Sequence, residues 1–216
     1  MKYKAVFFDF DYTLGDATDA IFAGFTHGMT LLGRPVPDRE AVRRTVGLPL
    51  ELAYTSLTGD QDPEHQQTFR AAFASVARPM QAQGVPLFPG AAELLRALHA
   101  GGIHVAVAST KQRGVLEGIL GRHGLTGVLD FIIGGDDVAS MKPAPDCLFL
   151  GLERLGLTPA DLLFCGDTTI DAATAQNAGC DFAAVLNGTT PAEAFAGYPS
   201  VRISPDLPDL HAWLGL

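Results

Sequence analysis

Two aspartates near the N-terminus, Asp9 and Asp11, follow directly on the apolar run Ala-Val-Phe-Phe at residues 5–8. A run of this length and composition predicts a buried strand of a parallel sheet, and such sheets bind ligands at the carboxyl ends of their strands. Two carboxylates held this close repel each other unless a cation or a shared proton neutralises them, which favours a hard metal ion such as Mg²⁺. Aspartate is also an ordinary turn residue, so the pair alone could simply end the strand.

Three further segments place polar groups directly after an apolar run or just before a helix-like segment. Their hydroxyl, ammonium and carboxylate groups are of the kinds that bind phosphate or a metal ion. They are Ser109 and Thr110 after the run 103–108, Lys142 before the segment 145–155, and Asp167 and Asp171 after the run 162–165. Each has an ordinary alternative, because hydroxyls cap helices, lysines are commonly solvated, and the helix dipole favours a first-turn carboxylate. Since all of them occur in one chain, we interpret them together as one site.

The order of these motifs resembles that of the haloacid dehalogenase superfamily, in particular the phosphatase branch with phosphoglycolate phosphatases and β-phosphoglucomutases. The motifs are Asp-x-Asp-x-Thr-Leu from Asp9, Ser-Thr at 109–110, Lys-Pro-x-Pro-Asp from Lys142, and Gly-Asp-Thr-x-x-Asp-x-x-x-Ala-x-x-Ala-Gly from Gly166. The pattern departs from the family at two positions. Tyr12 stands where glycine is usual, and Thr110 stands where asparagine is common.

The resemblance implies phosphoryl transfer in two steps through an aspartyl phosphate. It implies that Asp9 is the nucleophile and that Asp11 is the general acid and base. It also implies a Mg²⁺ cofactor. The metal set would be Asp9, the backbone carbonyl of Asp11, Asp167, and Asp171 through water or by orienting that shell. The phosphate set would be Ser109, Thr110 and Lys142.

The elements that position these residues follow from the hydrophobic pattern. From residue 85 onward strand-like and helix-like segments alternate, which predicts a parallel sheet with helices on both faces. Between residues 15 and 83 the pattern predicts only helices, at 16–32, 39–46, 49–57 and 62–80. We therefore expect an α/β fold, with a Rossmann-like three-layer α/β/α core at 1–14 and 84–216 and an inserted all-helical cap domain at 15–83.

The expected cap domain is where the resemblance implies that substrates are selected. The segment containing Arg43, Arg44 and Gly47 resembles the substrate-facing loop of phosphoglycolate phosphatase-like members. A guanidinium there could bind a substrate carboxylate or hydroxyls through paired hydrogen bonds. Both arginines could equally be solvated helix charges.

The composition limits the classes of protein to which the chain could belong. A net charge of −9 without a run of basic residues argues against nucleic acid or an anionic membrane surface as a partner. The N-terminal apolar run is too short for a signal peptide, and no stretch is long enough to cross a bilayer, so we expect a cytoplasmic protein. The three cysteines lack metal-ligand spacing, which predicts buried free thiols.

The function predicted on these grounds is a Mg²⁺-dependent phosphatase of small phosphorylated metabolites, most like phosphoglycolate phosphatase. A β-phosphoglucomutase-type phosphomutase is an alternative that uses the same core motifs. A non-catalytic binding protein on the same fold is a third possibility. The sequence leaves the physiological substrate open, and it does not distinguish a monomer from a homodimer.

Overall fold

The computed structural model describes residues 2–216, and their strands form a six-stranded sheet. The strands are β1 Ala5–Phe8, β2 His104–Ala108, β3 Phe131–Ile133, β4 Leu162–Gly166, β5 Asp181–Val185 and β6 Ser200–Ser204. Their order is β3-β2-β1-β4-β5-β6, and every neighbouring pair is parallel. The predicted parallel sheet is therefore confirmed.

Nine α-helices accompany this sheet within the described residues. They are α1 Thr18–Leu31, α2 Arg39–Arg43, α3 Leu50–Thr58, α4 Pro63–Gln83, α5 Ala91–Ala100, α6 Arg113–Arg122, α7 Asp146–Leu155, α8 Thr169–Ala178 and α9 Leu207–Leu214. None of the described helices combines the length and the apolar composition needed to cross a membrane.

Strand β1 lies in the middle of the sheet and is buried on both faces. All four of its residues are fully buried, although successive side chains point to opposite faces. On one face, Phe7 joins Phe164 and Phe182 in a core cluster with Leu148 of α7 and Ala175 of α8. Helices therefore flank the sheet as expected for a Rossmann-like α/β fold. The strand order reverses beside β1, and in such sheets that point opens a crevice at the carboxyl ends of the strands.

Backbone contacts divide the chain into two compact units. One comprises the described part of Met1–Gly15 together with Pro86–Leu216, and the other comprises Asp16–Val85. The first contains the sheet and the second contains α1 to α4. The division runs close to the expected boundaries of the core and the cap, whereas the role of the helical unit as a cap stays a prediction.

Helices α1 and α4 pack closely within the helical unit. The rings of Phe25 and Phe69 lie 5.1 Å apart, and the ring of Tyr54 lies 4.8 Å from that of Phe69. Gly28 permits this approach, because a Cβ there would overlap the Phe69 ring. The start of α4 is as the sequence predicts: the Asp62 side chain caps the helix and Pro63 occupies its first turn.

Two predicted helices end three residues away from the expected position. Helix α2 stops at Arg43 rather than residue 46. There the Thr45 hydroxyl donates to the Val42 carbonyl at 2.8 Å. A side-chain bond of this kind competes with the next backbone hydrogen bond of a helix and favours a turn. Helix α4 continues to Gln83, past Pro79, whereas the pattern predicts an end at residue 80.

Candidate active site

Four of the predicted site residues, Asp9, Lys142, Asp167 and Asp171, meet at the carboxyl edge of the central strands. Asp9 follows β1 and Asp167 follows β4, and these two strands are paired in register. The Asp9 amide donates to the Cys165 carbonyl at 2.9 Å, so the strand pairing continues up to the site. Asp171 lies in the first turn of α8, and Lys142 comes from the segment between β3 and α7.

Asp9, Asp167 and Asp171 form a buried cluster that could hold a divalent cation. One carboxylate oxygen from each lies within 4.8 Å of the others. The Lys142 ammonium donates to Asp9 Oδ1 at 2.7 Å and to Asp171 Oδ1 at 2.6 Å. When ionised, three carboxylates beside one ammonium leave two uncompensated negative charges. A hard divalent cation with oxygen ligands fits both the charge and the donor atoms.

The pKa values in this cluster shift as expected for crowded buried carboxylates. Burial raises the pKa of Asp9 to about 6 although Lys142 opposes the shift. Burial, followed by the charges of Asp171 and Asp9, raises the pKa of Asp167 well above its usual range. Burial alone would lower the pKa of Lys142, but the neighbouring carboxylates raise it above its ordinary value, so the ammonium stays charged. The cluster therefore needs further positive charge to be fully ionised.

Asp171 is held by the helix in which it lies. Its Oδ2 accepts from the Thr168 hydroxyl at 2.6 Å and from the Thr168 amide at 3.1 Å, while the Asp171 amide donates back to the hydroxyl. This capping box at the start of α8 uses one carboxylate oxygen and leaves the other for Lys142. The helix cap thus fixes the direction of the second oxygen toward the cluster.

The Asp11 side chain is not one of the three clustered carboxylates. Its Oδ2 forms an ion pair with Lys111 at 2.9 Å, and its Oδ1 is buried without a hydrogen-bond partner among the described residues. A buried acceptor without a partner is costly, and this oxygen is suited to a ligand proton. Tyr12, next along the chain, has a φ of 60°, the left-handed conformation that glycine adopts more readily. The glycine that the resemblance gives as usual at this position would adopt this conformation without strain.

The hydroxyl residues predicted to bind phosphate follow β2. Ser109 is buried, and its amide donates to the Ile133 carbonyl at 3.0 Å, which fixes the loop against the neighbouring strand. Its Oγ accepts from the Lys111 amide at 3.3 Å. Thr110 is partly exposed. Their assignment as phosphate ligands stays a prediction.

The residues expected to select substrate lie in the helical unit. Arg43 and Arg44 both form ion pairs with Glu40, at 3.1 and 3.4 Å. Gly47 has a φ of 100° in the turn that follows α2. Their role in selecting substrate stays a prediction.

Lys111, whose amine the sequence places with Ser109 and Thr110 where a phosphate could be held, pairs with Asp11. Three residues that the sequence reasoning did not assign to the site also lie against it. They are Thr13, whose hydroxyl donates to Asp167 Oδ1 at 3.2 Å, and Asn187 and Gly188, which follow β5 and lie against Thr13 and Asp167. The rule that ligands bind at the carboxyl ends of parallel strands also covers the segment after β5. The Asn-Gly pair one residue beyond the end of that strand was the available signal.

Comparison with known proteins identifies relatives along most of the chain. The sequence model of the family described as haloacid dehalogenase-like hydrolase matches residues 6–185. The protein named "Probable phosphatase IndB" of Dickeya dadantii is 36% identical, covering 81% of this chain and 77% of its own. Phosphoglycolate phosphatase of Salmonella paratyphi A is 31% identical, covering 99% of this chain and 93% of its own.

A solved structure agrees with the sequence relatives. A protein from Bacteroides fragilis assigned to the haloacid dehalogenase-like hydrolases superposes with a TM-score of 0.93 at 36% sequence identity. The superposition covers 97% of this chain and 100% of the other. The fold is therefore shared over both units of the chain, each considered by itself.

Proposed function

This chain is an enzyme of the haloacid dehalogenase-like hydrolase family, and we propose that it is a Mg²⁺-dependent phosphatase of small phosphorylated metabolites. Phosphoglycolate phosphatase is the relative whose activity this proposal follows most closely. The observation that carries the proposal is the buried cluster of Asp9, Asp167 and Asp171 with Lys142 ion-paired between two of its members. Such a site combines a carboxylate nucleophile with positive charge for an anionic substrate.

In the first step, a carboxylate oxygen of Asp9 attacks the phosphorus atom of the substrate. The bond between phosphorus and the ester oxygen breaks, and its electron pair stays on the leaving oxygen. Asp11, in its protonated form, gives its proton to that oxygen, so the product leaves as an alcohol. The buried Oδ1 of Asp11, which has no partner among the described residues, supports this role.

In the second step, water attacks the phosphorus atom of the aspartyl phosphate. Asp11, now a carboxylate, takes a proton from that water, and the bond between Asp9 and phosphorus breaks. Asp9 regains its carboxylate and inorganic phosphate leaves. The charge on the phosphoryl oxygens in both steps is stabilised by the Lys142 ammonium and the Ser109 hydroxyl.

The residues that would hold Mg²⁺ are Asp9, Asp167, Asp171 and the backbone carbonyl of Asp11. Carboxylate and carbonyl oxygens are the ligands that this ion prefers. When bound, the ion supplies the positive charge that lets an anionic nucleophile approach an anionic phosphate. The raised pKa values of Asp9 and Asp167 are consistent with a cluster that is short of such charge.

The experiment that tests the proposal is a phosphate-release screen over phosphorylated metabolites, including phosphoglycolate, sugar phosphates, nucleotides and pyrophosphate. We expect release of inorganic phosphate with Mg²⁺, none after EDTA treatment, recovery when Mg²⁺ is restored, and inhibition by Ca²⁺. Full activity in metal-stripped enzyme would contradict the metal requirement. An isomerised sugar phosphate without free phosphate would identify a phosphomutase instead.

A further inference from the structure

We propose that Asn187 and Gly188, the second and third residues after β5, form a positioning element for the metal site by fixing the Asp167 carboxylate. The inference rests on the proposed function, because it assumes that Asp167 binds the cation. Neither residue belongs to the four motifs that identify the family in the sequence. Their contribution is geometric, and it acts through Asp167 and Thr13.

The first part of the argument is a chain of hydrogen bonds that reaches Asp167. The Asn187 side-chain amide donates to the Thr13 carbonyl at 3.2 Å. The Thr13 hydroxyl in turn donates to Asp167 Oδ1 at 3.2 Å. Thr13 is fully buried and Asp167 nearly so. Asn187 therefore fixes the residue that fixes one oxygen of the carboxylate.

Gly188 confines the other carboxylate oxygen. A Cβ built on Gly188 would overlap Asp167 Oδ2, and it would also lie 3.2 Å from the Cβ of Tyr12. The backbone at Gly188 therefore lies directly against the Asp167 carboxylate, and any side chain larger than that of glycine would overlap this carboxylate. The Gly188 backbone and the Thr13 hydroxyl together restrict rotation of the Asp167 side chain.

The loop that carries these two residues is anchored at its base. The Leu186 amide donates to the Ser204 carbonyl of β6 at 3.0 Å, directly after the pairing of Val185 with Ser204. Asn187 and Gly188 therefore follow a segment fixed in the sheet. A carboxylate held between a rigid backbone and a hydrogen bond is preorganised for a metal ion, which is the usual role of residues that contact metal ligands.

The test is direct metal binding by the purified full chain, measured without substrate. We use Mn²⁺ as the probe, since it prefers the same oxygen ligands as Mg²⁺ and can be titrated by electron paramagnetic resonance. The variants are Gly188→Ala and Asn187→Ala. Gly197→Ala is the matched control, because Gly197 lies in the same connection between β5 and β6 and a Cβ there meets nothing within 4 Å.

We expect Gly188→Ala to weaken Mn²⁺ binding by about 10- to 100-fold and Asn187→Ala to weaken it in the same direction. The control should bind as tightly as the wild type. Thermal unfolding in EDTA separates weakened metal binding from a general loss of stability. If Gly188→Ala does not fold, the Mn²⁺ affinity of Asn187→Ala alone tests the inference.

Wild-type affinity in Asn187→Ala and in a folded Gly188→Ala would overturn this inference while leaving the proposed function intact. Failure of the wild type itself to bind Mn²⁺ would overturn the metal requirement of the proposed function, and this inference with it. The two failures are therefore distinguishable in a single titration series.

Discussion

The Lys142 ammonium is the charge on which the buried aspartates depend. It is itself buried, and it lies within 2.7 Å of Asp9 and 2.6 Å of Asp171. Removing one partner of a buried ion pair leaves an uncompensated charge, which costs far more than the pair contributes. Lys142 therefore has a structural role in keeping the cluster folded as well as its proposed role toward phosphate.

We predict that Asp9→Asn abolishes turnover. The amide cannot form the aspartyl phosphate, yet it has nearly the same shape, so the fold should persist. The value of kcat should fall below about a thousandth of the wild-type value, a loss of more than about 4 kcal/mol in barrier terms. It should be measured with the preferred substrate from the phosphate-release screen.

Intact-protein mass spectrometry should accompany that measurement, to show that the asparagine has not deamidated to aspartate. Circular dichroism and thermal unfolding provide the control for folding. A verified, folded variant that retains more than about a thousandth of wild-type kcat would contradict the covalent mechanism.

Some residues of the site can be predicted from the sequence next to them, whereas others contact the site only through partners far away in the chain. Asp9 and Asp167 are predictable because each follows an apolar run, and a local pattern suffices to place them at strand ends. The contact of Thr13 with Asp167 spans 154 residues, and that of Asn187 with Thr13 spans 174. Such contacts depend on which strands become neighbours, so no local pattern encodes them.

At the scale of elements, the packing of α1 against α4 in the helical unit leaves no space for a larger side chain at Gly28. We predict that Gly28→Ala destabilises the protein by about 1–3 kcal/mol, the usual cost of overpacking. The added Cβ would overlap the Phe69 ring, which cannot easily move because Phe25 and Tyr54 pack against it. Urea unfolding at neutral pH measures the change.

Gly118→Ala in α6 is the matched control. Gly118 is also inside a helix, but a Cβ there meets nothing within 4 Å. Alanine is the better helix former, so this variant should be stabilised by about 0.5–1 kcal/mol. Equal effects of the two substitutions would show that helix propensity rather than interhelical packing decides the stability.

Asp60, in the loop before α4, links helices α3 and α4 with the segment that follows α1. Its Oδ2 accepts from Arg34 at 2.6 Å and Tyr54 at 2.8 Å and pairs with His65 at 2.8 Å, while its Oδ1 accepts from the Asp62 amide at 2.9 Å. The Asp62 amide, then Tyr54 and His65, hold the pKa of Asp60 well below its usual range. The folded state thus favours the ionised carboxylate.

We predict that Asp60→Asn lowers the free energy of unfolding at pH 7, and that the deficit relative to wild type shrinks in acid. A carboxyl with a lowered pKa contributes fully above its unfolded value of about 3.9, and that contribution is lost as pH falls below it. Urea unfolding from pH 7 to pH 3 measures this. Asp19→Asn is the control, since that side chain is 82% exposed. A deficit for Asp60→Asn that does not change with pH would contradict the role of its charge.

The sequence predicts best those elements whose own residues carry a clear apolar run or a capping signal. Strand β1 is fully apolar and α4 has a capping aspartate followed by proline, so both starts are correct. Strand β6 has the sequence Ser-Val-Arg-Ile-Ser, which the pattern leaves open between a short strand and a turn. It becomes a strand because β5 pairs with it, and that pairing is not a local property.

At the scale of the whole molecule, we expect the two units to divide the work between phosphoryl transfer and choice of substrate. The sheet-containing unit holds the aspartates and Lys142, whose proposed role is limited to the phosphoryl group. Selection among leaving groups would then fall to the helical unit. The interruption of the alternating strands and helices after β1 is the sequence signal from which this division is expected.

We predict that replacing Arg43 or Arg44 by alanine lowers kcat/KM for the preferred metabolite by roughly 10- to 100-fold for at least one of them. Their ion pairs with Glu40 do not prevent them from binding a substrate, because exposed ion pairs contribute little to stability. The Arg44 side chain, for example, is 71% exposed. Steady-state kinetics on both single variants and the double variant measures this.

The compound p-nitrophenyl phosphate is the control substrate, because it lacks the carboxylate and hydroxyl groups that an arginine would bind. Its kcat/KM should change far less in these variants. Equal losses on both substrates would indicate a folding defect, and wild-type values in the double variant would locate selection elsewhere.

The central place of β1 in the sheet also has a consequence for how the protein is synthesised. Ala5 pairs with His104 and with Leu162, so β1 leaves the ribosome before either of the strands that pair with it. At roughly 5–20 residues per second, the interval before β4 emerges is about 8–30 s. Residues 16–85 emerge during this interval and can pack among themselves. The nascent chain therefore carries an exposed, fully apolar strand for seconds, a state in which chaperone binding or translation speed would govern the yield of folded enzyme.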